Sequence, residues 1–183
     1  MHKLMMKLAI GSEAVFFISL LLGYLHFWNS GDFDQVARQQ LDIRTAIPFT
    51  LVLLSSSITF LVAEKHHRKG VSGKALFWLL CTACLGLVFL SGQGYEYFRL
   101  IRKEQVTVSS SVFGSAFFAL TGFHGLHVLT GIIALLYLSW LSTLENGKRS
   151  AAAAIGAIGI YWHFVDVVWI AVFSTVYLLP YIL

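Results

Sequence analysis

The chain has 183 residues, a length that suits one domain, and its composition removes it from the soluble class: 57% of residues are hydrophobic and only 12% charged, about half the usual soluble share. The net charge of +4 is spread over basic residues in the connections, with no basic stripe among base-stacking aromatics, which excludes a nucleic-acid-binding surface. What remains is an all-α integral membrane bundle, one domain over residues 1–183.

Five apolar runs reach the ~20 residues needed to cross the hydrocarbon, at about 4–28, 43–63, 73–98, 109–143 and 151–179. The first follows a charged start, Met1 to Lys7, like that of a signal peptide. It carries Glu13, continues to Trp28 and shows no small-x-small cleavage site, so a retained span is expected. The connection from Asn29 to Asp42 opens on the turn-forming Asn29-Ser30-Gly31-Asp32. Within it Phe33, Val36, Ala37 and Leu41 have helical spacing, which predicts a short helix lying on the membrane surface. The second run has Pro48 in its first turns, where a missing donor costs little. Glu64-Lys65-His66-His67-Arg68-Lys69-Gly70 is read as a solvated basic loop; His66 and His67 are adjacent, so on a helix they would diverge rather than form a metal pair. Cys81 and Cys84, inside the third run and with no second pair, read as small apolar packing residues. The long fourth run tilts or extends past the bilayer. Glu145-Asn146-Gly147-Lys148-Arg149 is a tight turn into the fifth, which has Pro180 near its end. No inverted repeat of the transporter kind is visible.

Lys3, Lys7, Lys65, Arg68, Lys69, Lys74, Lys148 and Arg149 fall on one side of such a bundle; Arg38, Arg44, Arg99, Arg102 and Lys103 fall on the other. The positive-inside rule then predicts the N-terminus inside and the C-terminus outside. Trp28, Trp78 and Trp140 lie near span ends, as an aromatic belt would. Trp162 and Trp169, seven residues apart on one face in mid-span, read as packing residues.

The polar groups at membrane depth carry the functional signal, because a carboxylate there costs about 2.5–3.5 kcal/mol on insertion scales. Glu13 and Asp166 are the two clear cases. His124 and His127 are spaced i, i+3 in the fourth run, beside Thr121, Gly122 and Gly125 and before Gly131. His163 and Asp166 repeat the spacing in the fifth. Small residues beside polar rings predict helices in close contact, with the imidazoles turned into the contact rather than toward lipid. At ~1.5 Å per residue Glu13, His127 and His163 fall in one inner-to-middle slab, so one polar cluster could join the first, fourth and fifth spans. Three readings compete: hydrogen bonds that clamp the helices; a haem held between His124 or His127 and His163; and a proton path through a buried Glu13. Gln93 and Glu96 share a face at the outer end of the third span. Glu96, within reach of water there, could pair with Arg99 or a partner's base, so docking competes with a plain interfacial anchor among tyrosines.

These segments resemble subunit III of the haem–copper terminal oxidases, in its short five-helix bacterial form. Gly11-Ser12-Glu13-Ala14-Val15-Phe16-Phe17, Leu53-Leu54-Ser55-Ser56-Ser57 and Gln93-Gly94-Tyr95-Glu96-Tyr97 are similar to three family segments in order. The two strongest signatures are Thr121-Gly122-Phe123-His124-Gly125-Leu126-His127-Val128 and Tyr161-Trp162-His163-Phe164-Val165-Asp166-Val167-Val168-Trp169. The resemblance implies a supporting subunit of a respiratory complex that reduces oxygen to water, first of all a cytochrome c oxidase, with a quinol oxidase or a nitric-oxide-reductase-associated homologue as alternatives. It implies no catalytic residue, redox centre, cofactor or metal in this chain. Haem and copper would sit in partner subunits, with subunit I and membrane lipid, including bound phospholipid, as companions in the bacterial cytoplasmic membrane. It demotes a self-standing haem cytochrome. It carries over Glu13 as a buried carboxyl linked to proton uptake and His124, His127, His163 and Asp166 as a polar packing set. Many family members have seven spans; the two not seen here would precede the Ser-Glu span, so lipid ligands are not carried over.

Overall fold

A computed structural model of the chain describes residues 2–30, 41–144 and 147–182. Five long helices account for nearly all of them: α1 His2–Asn29, α2 Ile43–Arg68, α3 Ser72–Arg102, α4 Val112–Thr143 and α5 Lys148–Phe173. A single π-turn, Ser174–Leu178, leads from α5 into the short α6, Leu179–Ile182. All five long helices are apolar and long enough to cross a membrane. The short surface helix expected after Asn29 lies outside the described residues, as do Arg38, Glu145 and Asn146.

The helix ends follow local chemistry. Asp42 caps α2, its carboxylate accepting from the Arg44 N–H at 3.0 Å and from the Thr45 hydroxyl. Ser111 caps α4 through the Gly114 N–H at 3.0 Å. Pro48 sits in the second turn of α2, and the helix continues through it. The connection after α2 is shorter than expected, because α2 runs on to Arg68 rather than ending near Ala63. Arg68 pairs with Glu64 at 2.7 Å across one turn, and Gly70, with φ of 73°, reverses the chain. A charged sequence was compatible with helix there because its side chains are solvated. α3 likewise extends one turn beyond the expected Phe98, to Arg102.

Helices α2, α3, α4 and α5 form a closed ring in which α2 packs most extensively on α3, then α3 on α4, α4 on α5, and α5 back on α2. α1 lies against the edge made by α4 and α5. Its most apolar stretch is only 11% buried, against 50% for α5, so α5 is the core element and α1 the peripheral one. The outward faces carry Leu8, Val15, Leu51, Ile58, Phe77 and Ile133, side chains that suit lipid.

Two indoles fill the ring. Trp162 is fully buried and donates its Nε1–H to Ser56 on α2 at 3.0 Å. Its ring presses so closely on Gly86 of α3 and Gly131 of α4 that a Cβ would come within 3.0 and 2.7 Å. One layer up, Trp169 donates to Thr50 on α2 at 3.0 Å and packs on Phe89 of α3 and His124 of α4. Each tryptophan thus touches all three other helices of the ring. Trp140 faces outward as a belt residue would, but Trp28 does not: it turns into the core cluster that also holds Tyr24 and Leu41. The direction of the Trp28 side chain was set by packing rather than by its place near a span end.

Candidate functional site

The polar residues at membrane depth form separate groups rather than one cluster. On the α1 side, His127 Nε2 lies 3.1 Å from Glu13 Oε2, and its Nδ1 lies 2.7 Å from the Phe123 carbonyl of its own helix. That local bond fixes the ring's direction, toward α1. Tyr161 on α5 donates to the His127 carbonyl at 3.0 Å. The pair lines a groove of about 380 Å³ between α1, α4 and α5, together with Ala9, Ile10, Leu126, Thr130 and Ile158. The groove leaves the Glu13 side chain 41% exposed, so this carboxyl is reachable from the bundle surface.

On the opposite side of α5, His163 Nδ1 is 2.8 Å from the Ser57 hydroxyl, and the same hydroxyl bonds Asp166 Oδ2. Asp166 is 4% exposed, and its Oδ1 has no hydrogen-bond partner among the described residues. Helical spacing brings His163 and Asp166 to one face, and Ser57 on α2 meets both.

His124 belongs to neither pair. It is wholly buried between the edge of Phe89, 5.8 Å between centroids, and Trp169, at 4.8 Å. Neither of its nitrogens has a hydrogen-bond partner among the described residues, so it packs as a flat ring in the Trp169 layer. His124, His127 and His163 therefore turn to three different neighbours, and no two of them face each other as axial ligands would.

Toward the C-terminal end of α3, Gln93 donates to the Thr121 carbonyl of α4 at 2.6 Å, and Tyr97 shares a 2.7 Å bond with the Thr121 hydroxyl. Glu96 does not reach the surface. It is 7% exposed and accepts from Tyr177, with Arg99 at 3.8 Å from its other oxygen. Tyr177 lies within the π-turn that follows α5. Both side chains are thus engaged inside the bundle.

Sequence reasoning singled out His127, His163, Asp166 and Glu13, and Ser55–Ser57 only as a resembling segment; it did not pair Ser57 with His163 and Asp166, or Ser56 and Thr50 with Trp162 and Trp169. Thr50, Ser56 and Ser57 are one run of polar positions inside an apolar helix. The step from Thr50 to Ser56 along α2 runs close to the step from Trp169 back to Trp162 along an antiparallel α5. That similar spacing was the available signal.

The family profile of cytochrome c oxidase subunit III matches residues 2–181 of the chain. A probable cytochrome c oxidase subunit 3 of Mycobacterium leprae is 37% identical over 168 residues, covering 92% of this chain and 83% of that protein. The cytochrome c oxidase subunit 3 of Bacillus subtilis is 36% identical over 172 residues, 94% of this chain and 83% of that protein. That of Alkalihalophilus pseudofirmus is 33% identical over 170 residues, 93% and 82% of the two.

Proposed function

The chain belongs to the cytochrome c oxidase subunit III family, and from that premise we propose that it is a supporting subunit of a bacterial respiratory oxidase, docked on the subunit that holds haem and copper. The family match across nearly the whole chain carries this reading. Five helices packed around tryptophans, with each histidine turned to a different neighbour, support a bundle that moves no electrons.

The donor is cytochrome c, in keeping with the names of the relatives. The chain lies in the cytoplasmic membrane with its N-terminus inside and its C-terminus outside. The basic ends of α2 and α3, Lys65, Arg68, Lys69 and Lys74, then face the cytoplasm. In that orientation Glu13 lies in the inner half of the bilayer, in a surface groove and beside an imidazole, where it can take up and hold a proton on behalf of the neighbouring subunit. His124, His127, His163 and Asp166 knit the helices.

Affinity purification through a tag on this chain tests the assignment. A haem–copper subunit should co-purify in fixed stoichiometry; recovery of the chain by itself from mild detergent would overturn it.

A further inference from the structure

The Glu13–His127 pair opens on a groove at the α1 edge, but the Ser57–His163–Asp166 group lies elsewhere, between α2 and α5, and a helix clamp alone does not need its arrangement. A clamp needs only one of the two contacts, whereas Ser57 can donate to one partner while accepting from the other and so links them. Here a single hydroxyl, which has one proton to give, stands between an imidazole nitrogen and a carboxylate oxygen. We propose that His163, Ser57 and Asp166 form a proton relay, in which a proton arriving at His163 is passed through the Ser57 hydroxyl and stored on Asp166 in the bundle core.

The step balances within the three side chains. The Nδ1–H bond of a protonated His163 breaks as a new O–H bond forms on Ser57. The proton already on Ser57 moves to Asp166 Oδ2. Imidazolium and carboxylate become neutral imidazole and carboxylic acid, Ser57 is regenerated with its hydrogen bonds reversed, and no electron pair or co-reactant enters. Both ends of the exchange are net neutral for the pair, so the transfer leaves no uncompensated charge in a region where one is costly.

Geometry gives the relay a direction. Asp166 is the sealed end, with Oδ1 enclosed and without a donor among the described residues. His163 is the open end, being only half-buried where Asp166 is enclosed. Phe60 stands edge-on to the ring at 5.8 Å and fills the space over Gly159, which holds the imidazole against Ser57. Titratable groups on the helices packed against α5 include Glu64, His66 and His67 on α2, His124, His127 and Tyr137 on α4, and Glu13, Tyr24 and His26 on α1. Of these, Glu64 acts on His163 electrostatically, while His127 and Glu13 are engaged with each other. Glu64 and His67 also line a groove of about 440 Å³ between the ends of α2 and α5, a polar entrance two turns from His163 on the same interface.

Infrared titration of the full chain in lipid nanodiscs tests the relay by following the carbonyl stretch of protonated Asp166, assigned by its loss in Asp166→Asn. In a relay the two ends titrate as a coupled pair, so His163→Gln should move the midpoint of that band by about one pH unit or more. Ser57→Ala should abolish the effect of His163→Gln, and Ser57→Thr, which keeps the hydroxyl, should restore it. A midpoint indifferent to His163, a coupling that survives without the hydroxyl, or an Asp166 that shows no protonated band at any pH would each overturn the proposal. The readout comes from this chain alone, so it succeeds or fails independently of the oxidase assignment.

Discussion

Trp162 shows how unequal the contributions of single residues are. Its indole fills the centre of the ring, so Trp162→Ala removes contacts to α2, α3 and α4 at once and should cost about 3–5 kcal/mol, the range for large aromatic truncations. Its hydrogen bond is the smaller part. Interhelical hydrogen bonds in membranes average about 0.6 kcal/mol, so Ser56→Ala should cost no more than about 1 kcal/mol. Denaturant titration of the two variants in detergent measures both; equal losses would mean that the hydrogen bond, not the packing, holds the ring. Asp42, outside the spans, behaves differently. The Thr45 hydroxyl bonded to it, aided by the Arg44 N–H, holds its carboxyl below the usual range. A carboxyl lowered in the folded state stabilises above its unfolded pKa and loses that contribution as pH falls through the folded one. α2 should therefore hold in mild acid and fray only as the pH falls below the ordinary aspartate value of 3.8, and Asp42→Ala should remove about 1 kcal/mol together with that acid sensitivity, as hydrogen exchange at the start of α2 can check. At this scale the sequence displayed the donors and acids, since a charge or imidazole in an apolar run stands out. It hid the acceptors, since Ser and Thr are common in membrane helices and bond their own backbone as readily, as Thr50 does with the Ala46 carbonyl.

Among the elements, glycine marks where helices touch. A Cβ at Gly131 would meet the Trp162 ring at 2.7 Å, and one at Gly159 would meet Phe60 at 2.6 Å, while nothing lies within 4 Å of Gly94. Gly131→Ala and Gly159→Ala should each destabilise by about 1–3 kcal/mol, whereas Gly94→Ala should be neutral or slightly stabilising through helix propensity. Gly125 is a softer case, because the nearest atoms belong to the Gln93 amide. Ala could be accommodated there by a small shift of that side chain. Gly125→Leu could not, and should break the Gln93–Thr121 bond and lower the yield of folded chain. Expression and thermal stability of the set rank the contacts; a Gly94→Ala variant as damaged as Gly131→Ala would contradict the assignment. Helix number and order were legible because a bilayer demands long uninterrupted apolar runs. Helix ends were not, because hydropathy falls where charge begins, while the backbone of α2 continues as helix through Glu64 to Arg68. The π-turn at Ser174 was not read from the sequence, although Pro180, which has no N–H to donate, stands just after it, and the Tyr177 phenol that engages Glu96 lies within that turn.

The whole molecule reads as a four-helix ring plugged by tryptophans, with α1 laid along one edge and a titratable pair in the seam. That seam gives Glu13 access to the surface while its helix remains weakly held. Glu13→Gln should accordingly leave the amount of assembled complex near wild type and shorten the number of turnovers before inactivation, or slow proton uptake; unchanged kinetics over long turnover would reduce Glu13 to a packing residue. The most direct test of the account is to strip this chain from the purified oxidase and record where the chromophore goes. A supporting subunit without redox centres should leave the full haem spectrum and the initial oxygen-reduction rate with the remaining subunits, which then inactivate sooner; haem leaving in stoichiometric amount with the released chain would contradict it.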